Sequence, residues 1–144
     1  MSIKIAIGSD HAGFELKQQL INYTQTINVV LIDKGCYSLE RADYPDFGHA
    51  VANTILNKEA DFGILICGSG NGINMSANKH KGIRAALCWN EEIAILAKQH
   101  NNANILTLPG RYISYEEAVK CVKAFINEKF EGGRHTDRIN KIDL

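Results

Sequence analysis

Two rhythms alternate along this chain. Short apolar runs of strand-like composition are separated by segments in which apolar residues recur at helical spacing. That alternation is the pattern of a parallel sheet with crossover helices. Strands are expected at Ile3–Gly8, Val29–Asp33, Gly63–Cys67, Ile83–Cys88 and Asn104–Leu108. A first helix from about Gly13 to Thr24 puts Leu16, Leu20 and Tyr23 on one face. After Pro45, a good first-turn residue, Phe47, Val51 and Ile55 do the same. A short helix should run from near Gly72 to about Lys79. Asn90 is placed to cap a helix whose Ile93, Leu96, Ala97 and His100 share a face. Ser114 and Glu117 have the spacing of a capping box, and Val119, Val122, Ile126 and Phe130 follow at helical intervals. The two glycines of "EGGRHTDR" then end that helix, and a basic tail begins at about residue 131. The expected organisation is five βα units in one α/β domain over residues 1–144.

Composition narrows the class without naming a function. The chain of 144 residues is long enough for one hydrophobic core and short for two. Sixteen basic residues balance sixteen acidic ones, so no global field favours nucleic acid or a membrane surface, and any bound anion must be caught locally. Strand-like sequence begins at once, leaving no room for a secretory leader, and no apolar run is long enough to span a membrane. Cys36, Cys67, Cys88 and Cys121 form no CxxC pair and no metal-like spacing, so reduced thiols in the cytoplasm are expected.

Ligands of an open parallel sheet bind beyond the carboxyl ends of its strands. The segments expected there are "GSDHAG", "DKGCYSLERADYP", "CGSGNG", "CWNEE" and "LPGR". The third is the most specific. Gly68, Gly70 and Gly72 let backbone approach a ligand, with a helix start just beyond, but the spacing is neither a Walker loop nor GxGxxG. A tight strand-to-helix turn would need glycine too, and the two readings stand about even. Cys67 is either the last buried residue of its strand or a thiol acidified by the helix start. His100 either finishes an apolar helix face or serves the polar cluster "QHNNAN". Asp10 could face the cleft with His11 or cap the next helix, and Arg111 could lie on the surface. Arg134 and Arg138, four apart, suit a phosphate if the tail is helical. His49, His80 and His135 are expected to be structural or solvent-facing. The case rests on these residues converging at one edge of the sheet.

Taken together, "GSDHAGFELK", "DKG", "ADYPDF", "GILICGSGNG", "NKHKGIRAALC", "QHNNANIL", "GR" and "EGGRHTDR" resemble ribose-5-phosphate isomerase type B, a family shared with the galactose-6-phosphate isomerase subunits. The likeness runs from residue 3 to about 138. It implies a Rossmann-like three-layer α/β/α sandwich with a five-stranded parallel sheet. It also implies a homodimer, open to further pairing as a tetramer, with active sites at the subunit interface. The implied reaction interconverts ribose 5-phosphate and ribulose 5-phosphate with no metal or other cofactor. By the same resemblance Cys67 is the base that moves the proton between C2 and C1, and His100 assists ring opening. The loop Gly68, Ser69, Gly70, Asn71 and Gly72 holds the enediolate. Asp10, His11, Asn101, Arg111, Arg134 and Arg138 bind substrate, with His11 and the arginines nearest the phosphate.

Some members of that family carry a glutamate just after the glycine loop as the base. Here that position is Ile73, so the chain resembles the cysteine branch. Ser69 keeps the hydroxyl of a threonine found in relatives. His100, Asn101 and Arg111 are expected to reach into the neighbouring chain's cleft. Two other readings stay open: a six-carbon aldose phosphate (allose or galactose 6-phosphate) as substrate, and a non-catalytic nucleotide- or phosphate-binding module.

Overall fold

The computed structural model describes residues 2–144. Five parallel strands form one sheet in the order β2-β1-β3-β5-β4, where β1 is Ile3–Ser9, β2 Val29–Asp33, β3 Phe62–Cys67, β4 Ala85–Leu87 and β5 Ile105–Pro109. The chain leaves β1 for β2 on one side and returns to place β3 on the other. The crevice between the carboxyl ends of β1 and β3 is therefore the topological switch point, where open α/β sheets take ligands.

Helices cover both faces, which gives the expected α/β/α sandwich. On one face lie α1 (Phe14–Thr24), α4 (Glu91–Asn101) and α5 (Tyr115–Asn127); their Leu16, Leu20, Ala94, Val122 and Phe125 pack on Ile5, Ile7, Ile64, Ile66, Leu106 and Leu108. On the other lie α2 (Tyr44–Leu56) and α3 (Asn71–Ala77), whose Val51, Ala52, Ile73 and Ala77 pack on Ala6, Leu65 and Ile105. Side chains alternate along a strand, so Cys67 points the same way as Leu65, into the α2–α3 layer.

Several local expectations shift. A 3-10 turn, His11–Gly13, precedes α1. The β4 strand is shorter than Ile83–Cys88, because Arg84 N donates to the Asn104 side chain at 2.7 Å instead of a strand partner. Asn90 and Ser114 cap α4 and α5 as their spacing suggests, through Ile93 N (3.0 Å) and Glu117 N (3.1 Å). The Glu117 carboxylate, however, accepts from Glu91 N at 2.8 Å, tying α5 to the start of α4. Phe130 lies beyond the end of α5, where Glu131 N donates to Gln99 O and draws the chain across the end of α4. The basic tail is a helix, α6 (Arg134–Asn140), entered through Gly132 and Gly133 at positive φ.

The buried face of α4 also differs from the apolar stripe. Ala94, Ala97 and Lys98 are buried, whereas Ile93 is 44% exposed and Leu96 and His100 are half-buried. Small residues let α4 lie close to Ala118 and Cys121 of α5, and the larger Ile93 is left outside.

Candidate active site

Asp10 follows β1 and turns back on its own backbone. Its Oδ1 accepts from Ala12 N (2.9 Å) and Gly13 N (3.1 Å), so it caps the turn and is 94% buried rather than solvated. Next to it, His11 Nδ1 lies 3.2 Å from Ala42 N and 3.3 Å from Ala42 O, so the ring is tied to the backbone at Ala42 in either tautomer. Across the crevice, Cys67 ends β3. The backbone N–H groups of Gly70, Gly72 and Ile73 act on its sulfur, so Cys67 is a buried strand end that also faces the glycine loop.

The loop needs glycine for definite reasons. Gly70 has φ +81, and a Cβ there would lie 2.4 Å from Leu87 Cδ1; a Cβ on Gly72 would lie 2.4 Å from the Tyr44 ring. Ser69 Oγ accepts from Asn71 N at 3.3 Å and braces the turn. Ile73 is fully buried in the α2–α3 layer and offers no proton acceptor.

The thiol of Cys67 is not acidified as the helix start alone suggests. Burial pushes its pKa up, the charge of Asp10 adds to that, and the three amides pull the other way without prevailing. The resting group is a thiol whose thiolate, once formed, is a strong base. Asp10→Asn keeps the capping oxygen and removes the charge. The alkaline rise in the rate of Cys67 alkylation by iodoacetamide should then move to lower pH; an unmoved profile would disconnect the two groups. Cys88 and Cys121, by contrast, are buried in the opposite layer and pushed up to about 12, which marks them as packing residues.

Arg111 belongs to this same edge. Its backbone N donates to Gly68 O at 3.0 Å, and its guanidinium Nη1 lies 3.2 Å from where a Gly68 Cβ would be. His11 and Arg111 line one groove of about 370 Å³. The β5 exit brings Arg111 beside its own chain's glycine loop.

His100 and Asn101 do not join them. They end α4, which leads directly into the first residues of β5, so they sit at the amino edge of the sheet. From Gly63, level with Ile105, to Cys67, level with Pro109, β3 alone rises about 13 Å at roughly 3.3 Å per residue. The expected convergence on one edge thus fails for these two. Arg134 and Arg138 share an exposed flank of α6, which packs against α4. His135, between them, is 94% buried and stacks on His100 with ring centroids 4.3 Å apart. The candidate residues form two groups, one at each edge.

The sequence model of a family described as Ribose/Galactose Isomerase matches residues 5–142. The chain belongs to this family. Ribose-5-phosphate isomerase B of Escherichia coli is 44% identical over 139 residues, spanning 96% of this chain and 93% of that protein. Among solved structures, a ribose 5-phosphate isomerase from Thermotoga maritima superposes with a TM-score of 0.97 at 52% identity, covering 99% of each chain. Ribose-5-phosphate isomerase B of Mycoplasma genitalium, described with bound ribulose-5-phosphate, gives 0.92 at 46% identity over 99% of this chain and 95% of that one. For this member of the ribose/galactose isomerases, Glu131 is a neighbour of the site that no motif marks, and His135, expected to be structural or solvent-facing, is another. Glu131 lies 3.7 Å from His100 Nε2, and His135 stacks on the same ring. The i,i+4 spacing of Glu131 and His135 was the available signal.

Proposed function

We propose that two copies of this chain, acting in the cytoplasm, interconvert ribose 5-phosphate and ribulose 5-phosphate. The observation that carries the reading is Cys67, a buried thiol under three backbone amides at the switch point of the sheet, with Arg111 against Gly68 of the adjoining loop and His11 in the groove that Arg111 lines. The relative described with bound ribulose-5-phosphate supports the choice of substrate.

In this mechanism the Cys67 thiolate takes the proton from C2 of the open-chain aldose. The C–H electron pair moves into the C1–C2 bond and negative charge develops on O1. Backbone N–H groups of the glycine loop stabilise the enediolate as it forms. The thiol returns its proton to C1, and the O2 proton passes to O1, which leaves the ketone at C2. His11 and the arginines hold the phosphate and so fix the reacting carbons.

His100, Asn101, Arg134 and Arg138 enter through the second copy. A two-fold dimer applies one patch of each chain to the other, so the carboxyl edge of one can receive the amino edge of its partner, twice. Exposed apolar groups at the carboxyl edge support this. Trp89 and Tyr112 stack at 5.6 Å beyond β4 and β5 while 50% and 63% exposed, and Ile93 stands on the open face of α4 that leads to His100. Four free cysteines fit a reducing compartment, and no described helix is long and apolar enough to cross a membrane.

The family description favours one second reading, an isomerase of a six-carbon aldose 6-phosphate. A coupled assay with ribose 5-phosphate and allose 6-phosphate side by side tests both. The higher kcat/KM is expected for ribose 5-phosphate; a clear preference for the six-carbon sugar would replace the first reading with the second.

A further inference from the structure

Three ligand atoms meet beside the end of α4: His100 Nε2, His135 Nε2 and Glu131 Oε1, all within 4.8 Å of one another. The carboxylate oxygen lies 3.7 Å from the first nitrogen and 3.6 Å from the second. Around a tetrahedral zinc ion, with ligands at about 2.0–2.2 Å, neighbouring ligand atoms stand roughly 3.3 Å apart. Two edges of such a shell are nearly in place.

We propose that His100, His135 and Glu131 form a binding site for a divalent transition metal ion of the zinc type, and that its occupation withdraws His100 from the isomerase reaction.

A second, independent observation points to a ligand. His135 is 94% buried, and its Nε2 has no hydrogen-bond partner among the described residues. Buried polar atoms rarely stay unpaired, and a metal ion in front of this nitrogen would satisfy it.

The geometry also says what must move. The two rings are stacked with an interplanar angle of 15°, so their lone pairs run nearly parallel and cannot meet at one point. His135 is held by burial. The His100 side chain is 37% exposed, and its χ2 torsion is soft, so His100 is the ring that turns. Two imidazoles and one carboxylate suit zinc, copper or nickel and not magnesium, which prefers oxygen donors. Arg134 and Arg138 flank the site and oppose a cation, so binding is reversible rather than structural.

The experiment is a zinc titration by calorimetry of the full chain, stripped with EDTA and dialysed, with magnesium as control. One zinc per chain is expected, and no magnesium. His135→Ala and Glu131→Gln should each weaken zinc binding by more than about tenfold, which is the lower end of what even an outer-shell partner costs. No zinc binding, or binding unchanged in both variants, overturns the site. So does binding lost only when His49 and His80 are replaced; His49 Nδ1 and His80 Nε2 lie 2.7 Å apart and are the rival ligands. A second arm, which rests on the isomerase reading, follows activity: zinc should inhibit the wild-type protein, EDTA should restore it, and Glu131→Gln should need more than about tenfold more zinc. Zinc bound through these residues with activity unchanged overturns the inhibitory role. Absence of isomerase activity in the metal-free protein would count against the isomerase reading and leave the calorimetry to decide the site.

Discussion

Replacing Cys67 by alanine is expected to lower kcat for ribose 5-phosphate by about 10²–10⁴-fold, the contribution of a positioned general base. The fold should survive the change. Cys67 is a small, 96% buried side chain at the end of a strand, and losing one atom there costs about 1 kcal/mol, as for a single buried methylene-sized group. KM should stay close to the wild-type value, because His11, Arg111, Arg134 and Arg138 are untouched. Cys67→Ser gives a sharper comparison: it restores shape and polarity, but a hydroxyl is far too weak an acid to supply the anion at neutral pH. Serine should therefore be as inactive as alanine. A folded alanine variant with a wild-type kcat would remove Cys67 from the chemistry.

Gly70→Ala should be nearly as damaging for a different reason. Its φ of +81 lies in the left-handed region, which costs an L-residue about 1–2 kcal/mol. The new Cβ would also lie 2.4 Å from Leu87 Cδ1, so the loop or Leu87 must shift. A lower Tm follows from both effects. The catalytic effect is separate: the Gly70 N–H is one of the amides that act on the Cys67 sulfur, and moving it disturbs the cradle proposed for the enediolate. Removing one such donor typically costs about 10²–10³ in kcat. Steady-state kinetics below the variant's Tm would check this, and a wild-type kcat there would show that the loop's shape is not needed for turnover.

The sequence was most informative where chemistry and local geometry coincide. The β3 run and its glycines marked the strand end, the loop and Cys67 together, and caps at Asn90 and Ser114 were legible because each is a contact over three residues. Misreadings came where one local pattern admits two placements. On α4, Ile93 and Leu96 looked like the core face, but close packing against α5 favours Ala94 and Ala97. The edge that His100 occupies does not follow from its polar neighbours but from the topology, because a helix that precedes a parallel strand ends at the sheet's amino edge. The stack of His100 on His135 joins residues 35 positions apart and follows from the turn at Gln99 and Glu131, which no periodicity announces.

A mixed dimer tests the shared site most directly. One chain carries Cys67→Ala and the other His100→Asn, purified as the heterodimer through two different tags. If the carboxyl edge of one chain works with the amino edge of its partner, one site holds both replacements and the other holds neither. The heterodimer should then turn over ribose 5-phosphate at about half the wild-type rate per dimer, well above either parent homodimer. Activity no higher than that of the parents would mean that each chain uses its own His100, and would contradict the account.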